Sequence, residues 1–319
     1  MSADPAPIDS PDPVDMADLP VQLPSGPADA AAARARFFNS GNAFNIKLPA
    51  VPPHTFARES GRARDAAAPT GFTACDLSEA LACPFPATTP LMLARYAAIA
   101  PGETLAADFA ATGSIWYVIA GTGTTRAGPE TLRWGAGDVL LLPGGPASHR
   151  AEGGRAVLWS VTNEPQLALD GALPPRVPVA PVHYPAAEIG RQMALLAGTR
   201  ANAQTSGHAL IFSSETLEAG RNILPTLTLS LNTLPPRSHQ RAHRHNSAAV
   251  TLVLEGEGCH SAIDGLRCDW APFATMVTPP GSRHSHHNPG PSRARFLIVQ
   301  DGGLHYHART MGFEFLERA

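Results

Sequence analysis

Two stretches decide the fold and the chemistry of this chain: RAHRHNSAAVTLVLEG at residues 241–256 and PPGSRHSHHN at residues 279–288. His243 and His245 are separated by one residue, so their side chains point to the same side of a strand. His284, in the second stretch, can complete a set of three histidines. Imidazole groups bind several divalent metals, so this spacing predicts a metal site.

Composition limits the classes of protein to which the chain can belong. Its 319 residues are enough for two domains of ordinary size. The net charge is −3 and no run of Lys or Arg stands out, which argues against nucleic acid as a partner. Glycine (28) and proline (32) are abundant while only 16% of residues are charged, a balance typical of short strands joined by tight turns. An all-β fold is therefore expected.

The first residues contain no basic start followed by an apolar run, and no segment is apolar enough to cross a membrane. We therefore expect a cytoplasmic protein without a membrane partner. The cysteines form no Cys-x-x-Cys pair, and reduced thiols suit that compartment. They are Cys75, Cys83, Cys259 and Cys268.

Similar turn motifs occur twice in the chain. Residues 117–123 (YVIAGTG) resemble residues 252–258 (LVLEGEG), and residues 142–145 (LPGG) resemble residues 278–281 (TPPG). Two matches in the same order at similar separations indicate an internal duplication. The chain is therefore predicted to contain two related β-barrels.

The duplication suggests a division into three parts. Residues 1–45, rich in proline and alanine, are predicted to be a flexible tail and a docking arm. Residues 46–175 are expected to form the N-terminal barrel, and residues 176–319 the C-terminal barrel with the metal site.

The two stretches resemble the two metal-binding motifs of the cupin superfamily. The resemblance covers roughly residues 85–310, and together with the duplication it makes the chain look like a bicupin. It implies two tandem barrels of the double-stranded β-helix, or jelly-roll, type. The matching residues are His243, His245, Gly256, Pro279, Gly281, His284 and Asn288.

Many cupins have a metal-binding glutamate shortly after the second histidine, but here Ala249 and Val250 occupy those positions. A site of three histidines followed by an apolar strand and Glu-Gly resembles the gentisate 1,2-dioxygenase group, bicupins that open the ring of hydroxylated aromatic acids with Fe(II) and O₂. The resemblance implies that His243, His245 and His284 are iron ligands. Zinc, nickel, manganese and copper are the alternative metals.

Two departures from this group bear on the substrate. Thr251 stands where the group has an arginine that binds the substrate carboxylate, and the complete site lies in the second barrel rather than the first. The predicted function is a dioxygenase in aromatic catabolism, acting on a small, aromatic hydroxy acid. A lyase or isomerase that uses a metal without redox chemistry, or a cupin that only binds a metal or small molecule, is the alternative.

The first barrel is predicted to lack metal ligands. Aligning the motifs without a gap places Asp108 and Ala110 at the paired histidines, and Ser114 at the glutamate. Ser148 falls at the third histidine, with His149 one residue late. We therefore expect a structural or oligomerising role for this barrel, in a homodimer or homotetramer.

Other residues are candidates for catalysis. His286 shares strand parity with His284, so it is a candidate general acid or base, a hydrogen-bond partner of a ligand, or a solvated loop residue. By the same parity Arg241 is either a carboxylate anchor or an exposed arginine at the rim. His305 and His307 repeat the His-x-His spacing in a predicted strand, where no third partner is evident.

Overall fold

The structure is a computed structural model that divides into two compact units, Met1–Leu48 and Pro49–Ala319. It describes residues 14–43, 48–200 and 207–317. Part of the predicted tail and arm, residues 1–13 and 44–45, lies outside the described residues. Both barrels belong to the second unit.

Strands dominate the described residues, which confirms the all-β prediction. The strands are β1 His54–Phe56, β2 Gly71–Cys75, β3 Leu93–Ile99, β4 Thr104–Ala127, β5 Glu130–Gly135, β6 Val139–Thr162, β7 Val182–Tyr184, β8 His208–Phe212, β9 Thr228–Leu234, β10 Ser238–His239, β11 His243–His245, β12 Ala249–Glu255, β13 His260–Ile263, β14 Leu266–Asp269, β15 Thr275–Thr278, β16 His284–Asn288, β17 Ala294–Gln300 and β18 Phe313–Phe315. The helices are α1 Ala30–Ala33, α2 Ser40–Ala43, α3 Ala57–Arg64, α4 Ser78–Leu81, α5 Glu164–Asp170, α6 Ala186–Ala197 and α7 Gly302–Ala308, with 3₁₀ turns at Met16–Asp18 and Glu215–Gly220.

Two long strands build most of the first barrel. Strands β4 and β6 have 24 residues each and pair antiparallel along nearly their whole length. Their register shifts several times, and such irregularities let a strand bend sharply. The sheet order is β2-β3-β6-β4-β5, with β7 paired to β6. One continuous pair of strands thus contributes to both walls of the barrel.

The second barrel consists of two sheets. One has the order β1-β15-β12-β17-β9-β8, and the other has the order β14-β13-β16-β11-β18, with β10 paired to β16. Side chains of the first sheet, among them Ala249, Met276 and Phe296, pack into one buried cluster with Trp270, which follows β14 of the second sheet. The two motifs that carry the histidines, β11 and β16, are neighbours in the second sheet.

The strands are shared across the predicted boundaries. Strand β1 pairs with β15, with His54 opposite Val277, so a segment from the first half of the chain completes a sheet of the second barrel. Strand β7, which follows residue 176, pairs with β6 of the first barrel. Each barrel therefore contains a strand from beyond its expected range.

The two barrels also share a hydrophobic core. On β12, Val250 and Leu252 pack into the shared core, while Ala249 and Val253 pack inside the second barrel. Each fully buried aliphatic side chain of this kind contributes about 1.5–3 kcal/mol. A hydrogen bond also joins the two barrels. The indole N–H of Trp159 on β6 donates to Thr275 Oγ1 on β15 at 2.9 Å.

Residues 302–308 correct one prediction. His305 and His307 were expected in a strand, but they lie in helix α7. Two residues apart in a helix, they point in different directions. They therefore do not form the paired arrangement that a second His-x-His metal site needs.

All four cysteines are free thiols, as predicted. Among the described residues, no helix is both long enough and apolar enough to span a membrane.

Candidate metal centre

Three buried histidines meet inside the second barrel. His243 and His245 alternate with the exposed Arg244 on β11, so they share one face of the strand. His284 on β16 lies opposite His243. The three side chains place one ring nitrogen each within 4.8 Å of the others, a set that can hold a metal ion.

Hydrogen bonds fix which nitrogen of each ring faces the centre. The Nδ1 atoms of the three histidines lie 2.8–2.9 Å from the carbonyl oxygens of Arg241, Ser247 and Ser282. A carbonyl oxygen only accepts, so each Nδ1 carries the proton and each Nε2 keeps a free lone pair. A lone pair on every Nε2 is what a metal ion requires, so the donor set fits a divalent metal.

Burial also keeps these rings neutral. It lowers the pKa of His243, lowers the pKa of His245 to about 4, and lowers the pKa of His284 further because the neighbouring histidines add repulsion. Protonated imidazole does not bind metal. The three ligands are thus ready for metal at neutral pH.

The histidines open into a cavity of about 250 Å³. No Asp, Glu, Lys or Arg is among its lining residues, so a bound divalent ion would keep its full charge there. The lining residues are Ala209, Ile211, Ser230, Asn232, Gln240, His243, His245, Ala249, Thr251, Thr278, His284, His286, Ile298, Gln300, Tyr306, Met311 and Phe313.

Gln300 is a site residue that the sequence reasoning missed. It ends β17, and its amide nitrogen lies 3.3 Å from Nε2 of His245, which is consistent with a lone pair on that nitrogen. The signal was present, because Gln300 shares strand parity with Phe296 and Ile298 and is the polar residue on that face. Residues 296–299 of β17 are buried on both faces of the strand.

Gln240, rather than Arg241, points into the cavity. Arg241 is not among the residues that line the cavity, because residues 240–242 are not in a strand and alternation does not carry over from β10 to β11. The guanidinium of Arg241 lies over the ring of Phe315 at 3.8 Å. Gln240 is buried, and its Oε1 has no hydrogen-bond partner within the described ranges.

His286 lines the cavity, but its Nδ1 is hydrogen-bonded to a side chain of the barrel wall. That nitrogen is 2.8 Å from Ser261 Oγ, which also accepts from the indole N–H of Trp270 at 2.9 Å. Burial lowers the pKa of His286 to about 3, so the ring is neutral. The structure thus brings His286 to the site in a restrained orientation.

The same bridge occurs in the first barrel. Thr125 Oγ1 is 2.8 Å from Nδ1 of His149 and accepts from the indole N–H of Trp134 at 2.8 Å. Thr125 lies opposite His149 in the strand register, just as Ser261 lies opposite His286. His149 is therefore the counterpart of His286, not a displaced metal ligand.

This register identifies the first-barrel counterparts of the three central histidines. Ala147 lies opposite Ala107, as His284 lies opposite His243. His245 follows His243 by two residues, so its counterpart is Phe109, which follows Ala107 by two residues. Apolar side chains thus stand in the first barrel at the positions of all three histidines.

The ungapped alignment named the wrong residues for this comparison. Asp108 and Ala110 are exposed, and Ser148 immediately precedes the buried His149. The reason is a register shift between Phe109 and Gly113 on β4, which changes the face on which each residue lies.

Trp116 fills the centre of the first barrel. It occupies the position that Thr251 has in the second barrel, and its ring lies 4.1 Å from the ring of His149. Its indole N–H donates to Ser114 Oγ at 2.8 Å. The bulk of this side chain accounts for the packed interior at that position.

Comparisons with known proteins agree with this architecture. A family model described as a cupin domain matches residues 230–300. Gentisate 1,2-dioxygenase from a Ralstonia species is 33% identical over 79 residues, which cover 25% of this chain and 22% of that protein. For 5-aminosalicylate 1,2-dioxygenase from a Comamonas species the identity is 35% over 79 residues, covering 24% and 21%. The chain thus spans about a fifth of the length of these relatives.

A solved structure extends the likeness to most of the chain. Salicylate 1,2-dioxygenase from Pseudaminobacter salicylatoxidans superposes with a TM-score of 0.71 over 87% of this chain and 92% of that chain, at 16% sequence identity. At that identity the likeness shows a common fold. The chain therefore has a two-barrel fold like that of this structure, with a cupin domain at residues 230–300 and a segment similar to gentisate and 5-aminosalicylate 1,2-dioxygenases.

Proposed function

We propose that this protein is an iron(II)-dependent dioxygenase that cleaves the ring of a small hydroxylated aromatic acid. The observation that carries the proposal is the set of three neutral imidazoles whose Nε2 lone pairs face one cavity. The named activities of the relatives, on gentisate and on 5-aminosalicylate, support the same class of substrate.

His243, His245 and His284 would hold the metal. Iron(II) bound there supplies redox exchange with O₂ and open positions for a chelating substrate. Because no carboxylate lines the cavity, an anionic substrate with a hydroxyl beside its carboxylate would neutralise the charge of the ion.

The remaining lining residues would orient the ring. Ile298, Met311 and Phe313 offer apolar surfaces for an aromatic face. The unpartnered Oε1 of Gln240 would accept a hydrogen bond from a ring hydroxyl. A cavity of about 250 Å³ would also exclude most water around a bound ring.

Oxygen consumption tests the proposal directly. Protein loaded anaerobically with Fe(II) should consume O₂ with at least one member of a panel of hydroxybenzoates and hydroxynaphthoates, and the same protein loaded with Zn²⁺ should not. Turnover that proceeds without O₂, or that is equal with Zn²⁺ or Ni²⁺, would instead indicate a lyase or isomerase. Saturable ligand binding without product would indicate a binding protein.

A cytoplasmic homo-oligomer stays a prediction. The mass in solution, from size-exclusion chromatography with light scattering, would test the oligomeric part of it.

A further inference from the structure

A second cavity of about 440 Å³ adjoins the metal-site cavity. The two cavities have four lining residues in common, so these side chains form the wall between them. They are Ile211, Ser230, Gln300 and Tyr306. Ala219, Gly220 and Arg221 line only this second cavity and are exposed, whereas the three central histidines line only the first and are buried, so we call the second cavity the outer cavity.

Asn222 gives the outer cavity an unused hydrogen-bond acceptor. The residue is only 9% exposed, and its Oδ1 has no partner among the described residues. Its other amide atom, Nδ2, lies 3.4 Å from the carbonyl oxygen of Pro225. A buried acceptor without a donor is costly, so an N–H or O–H group from an occupant would stabilise it.

Arg221 gives the same cavity a cation. It is exposed and lies in the left-handed region at φ 55°, where its N–H donates to the carbonyls of Leu217 and Glu218 at 2.9 and 3.1 Å. Those bonds fix the backbone from which its side chain extends. Within the described part of the chain, Arg221 takes part in no ion pair.

We propose that the outer cavity binds an acidic tail on the aromatic substrate. The guanidinium of Arg221 binds the carboxylate of the tail, and Oδ1 of Asn222 accepts from an N–H or O–H group in it. The inference rests on the proposed function, since the ring and its chelating pair occupy the metal-site cavity. The carboxylate of the tail is distinct from the carboxylate of the ring, which stays with the metal.

Equilibrium binding with two matched ligands tests this subsite. Protein loaded with redox-silent Zn²⁺ is titrated calorimetrically with 5-(carboxymethylamino)salicylate and with 5-(propylamino)salicylate, which have similar length and the same N–H but differ in the carboxylate. The acidic ligand should bind about ten-fold tighter, as expected for one partly exposed charge-assisted hydrogen bond. Arg221→Gln should abolish this preference.

Arg237→Gln is the matched control. Arg237 is also an exposed arginine in the left-handed region, at φ 52°, and it does not line either cavity. The control should keep the ten-fold preference. Equal affinity for the two ligands, binding of neither, or an equal loss in both variants would overturn the proposal.

The outcome can be separated from that of the proposed function. If the preference depends on Arg221 but Fe(II)-loaded protein consumes no O₂ with any substrate, the subsite stands and the dioxygenase proposal fails. If O₂ is consumed but Arg221→Gln keeps the preference, the dioxygenase proposal stands and the subsite fails.

Discussion

In both barrels a hydroxyl group bridges a buried tryptophan and a buried histidine, through hydrogen bonds of 2.8–2.9 Å. The groups are Trp134, Thr125 and His149 in the first barrel, and Trp270, Ser261 and His286 in the second. Around this common bridge the barrels differ. Four positions are apolar in the first barrel and polar in the second, and they are Ala107, Phe109, Ala147 and Trp116 against His243, His245, His284 and Thr251.

The comparison separates scaffold from chemistry. A bridge that persists in a barrel without metal ligands serves packing, so it favours a positioning role for His286 over proton transfer. The positions that differ are the ones that open a cavity and place lone pairs in it. The differences that create the candidate metal centre therefore lie at four positions of a repeated frame.

Replacing His284 by the residue that the first barrel has at this position should have the largest effect on metal binding. His284→Ala installs the residue that the first barrel has at this position, and we expect metal affinity to fall more than about 100-fold, since even indirect support of a ligand is worth 10- to 100-fold. Metal content after dialysis measures it. His307→Ala, an exposed histidine outside the site, should retain full metal content; retention by both variants would disprove the metal assignment.

Filling the cavity should separate substrate binding from metal binding. Thr251→Trp introduces the bulk that Trp116 has in the first barrel. We expect metal content to be unchanged and ligand affinity to fall about 10- to 100-fold, because the ring must displace or strain the new side chain. Thr251→Val, which keeps the volume, is the control in calorimetric titration with salicylate, and unchanged affinity in the tryptophan variant would place the ring elsewhere.

Breaking the bridge should cost stability equally in the two barrels. Thr125→Ala and Ser261→Ala each leave a buried indole N–H and an imidazole nitrogen unpaired, at a cost of about 1–3 kcal/mol in the free energy of unfolding. Urea denaturation measures it. If Ser261→Ala instead left stability intact and changed the pH profile of turnover, His286 would act in proton transfer, one of the roles that strand parity allows.

The smallest expected effect is on the pH dependence of stability. Burial lowers the pKa of His149 to about 3 from its usual 6.5. At a pH between these two values, His149 binds a proton in the unfolded chain and stays neutral in the folded chain. Stability from this group is complete above pH 6.5 and is lost as pH falls toward 3. At pH 5.5 the loss is about 1.4 kcal/mol.

His149→Asn tests that contribution. The variant should lose about 1.4 kcal/mol less than the parent protein between pH 8 and pH 5.5, measured by urea denaturation at both values. Equal losses would mean that His149 is protonated in the folded state.

The ligands were predictable because they lie where local geometry is regular. His243 and His245 are in one strand, so parity places both on the same face, and His284 follows a proline-glycine turn that the duplication repeats at Pro143. In such segments the spacing of two residues in the sequence shows whether their side chains point to the same face. The two-barrel fold followed from the same repeated turns.

The errors arose where strands are interrupted. Arg241 lies in a gap between two strands, so strand parity does not give the direction of its side chain. Asp108 lies beside a register shift, so an alignment without a gap gave the wrong face. His305 was assigned to a strand from spacing alone, although residues 302–308 are helical. Gln300 was missed although strand parity marks it as the polar residue on its face, because only the structure shows that this face lies beside His245.

Strand β1 determines how a fragment that contains only the second barrel would behave. Its three residues cover β15, which would otherwise be an unprotected sheet edge. A fragment starting at residue 176 would hold all three histidines, yet it would expose that edge and the shared core to other chains. Strand β1 and the shared core thus shield the barrel that holds the three histidines from contact with other chains.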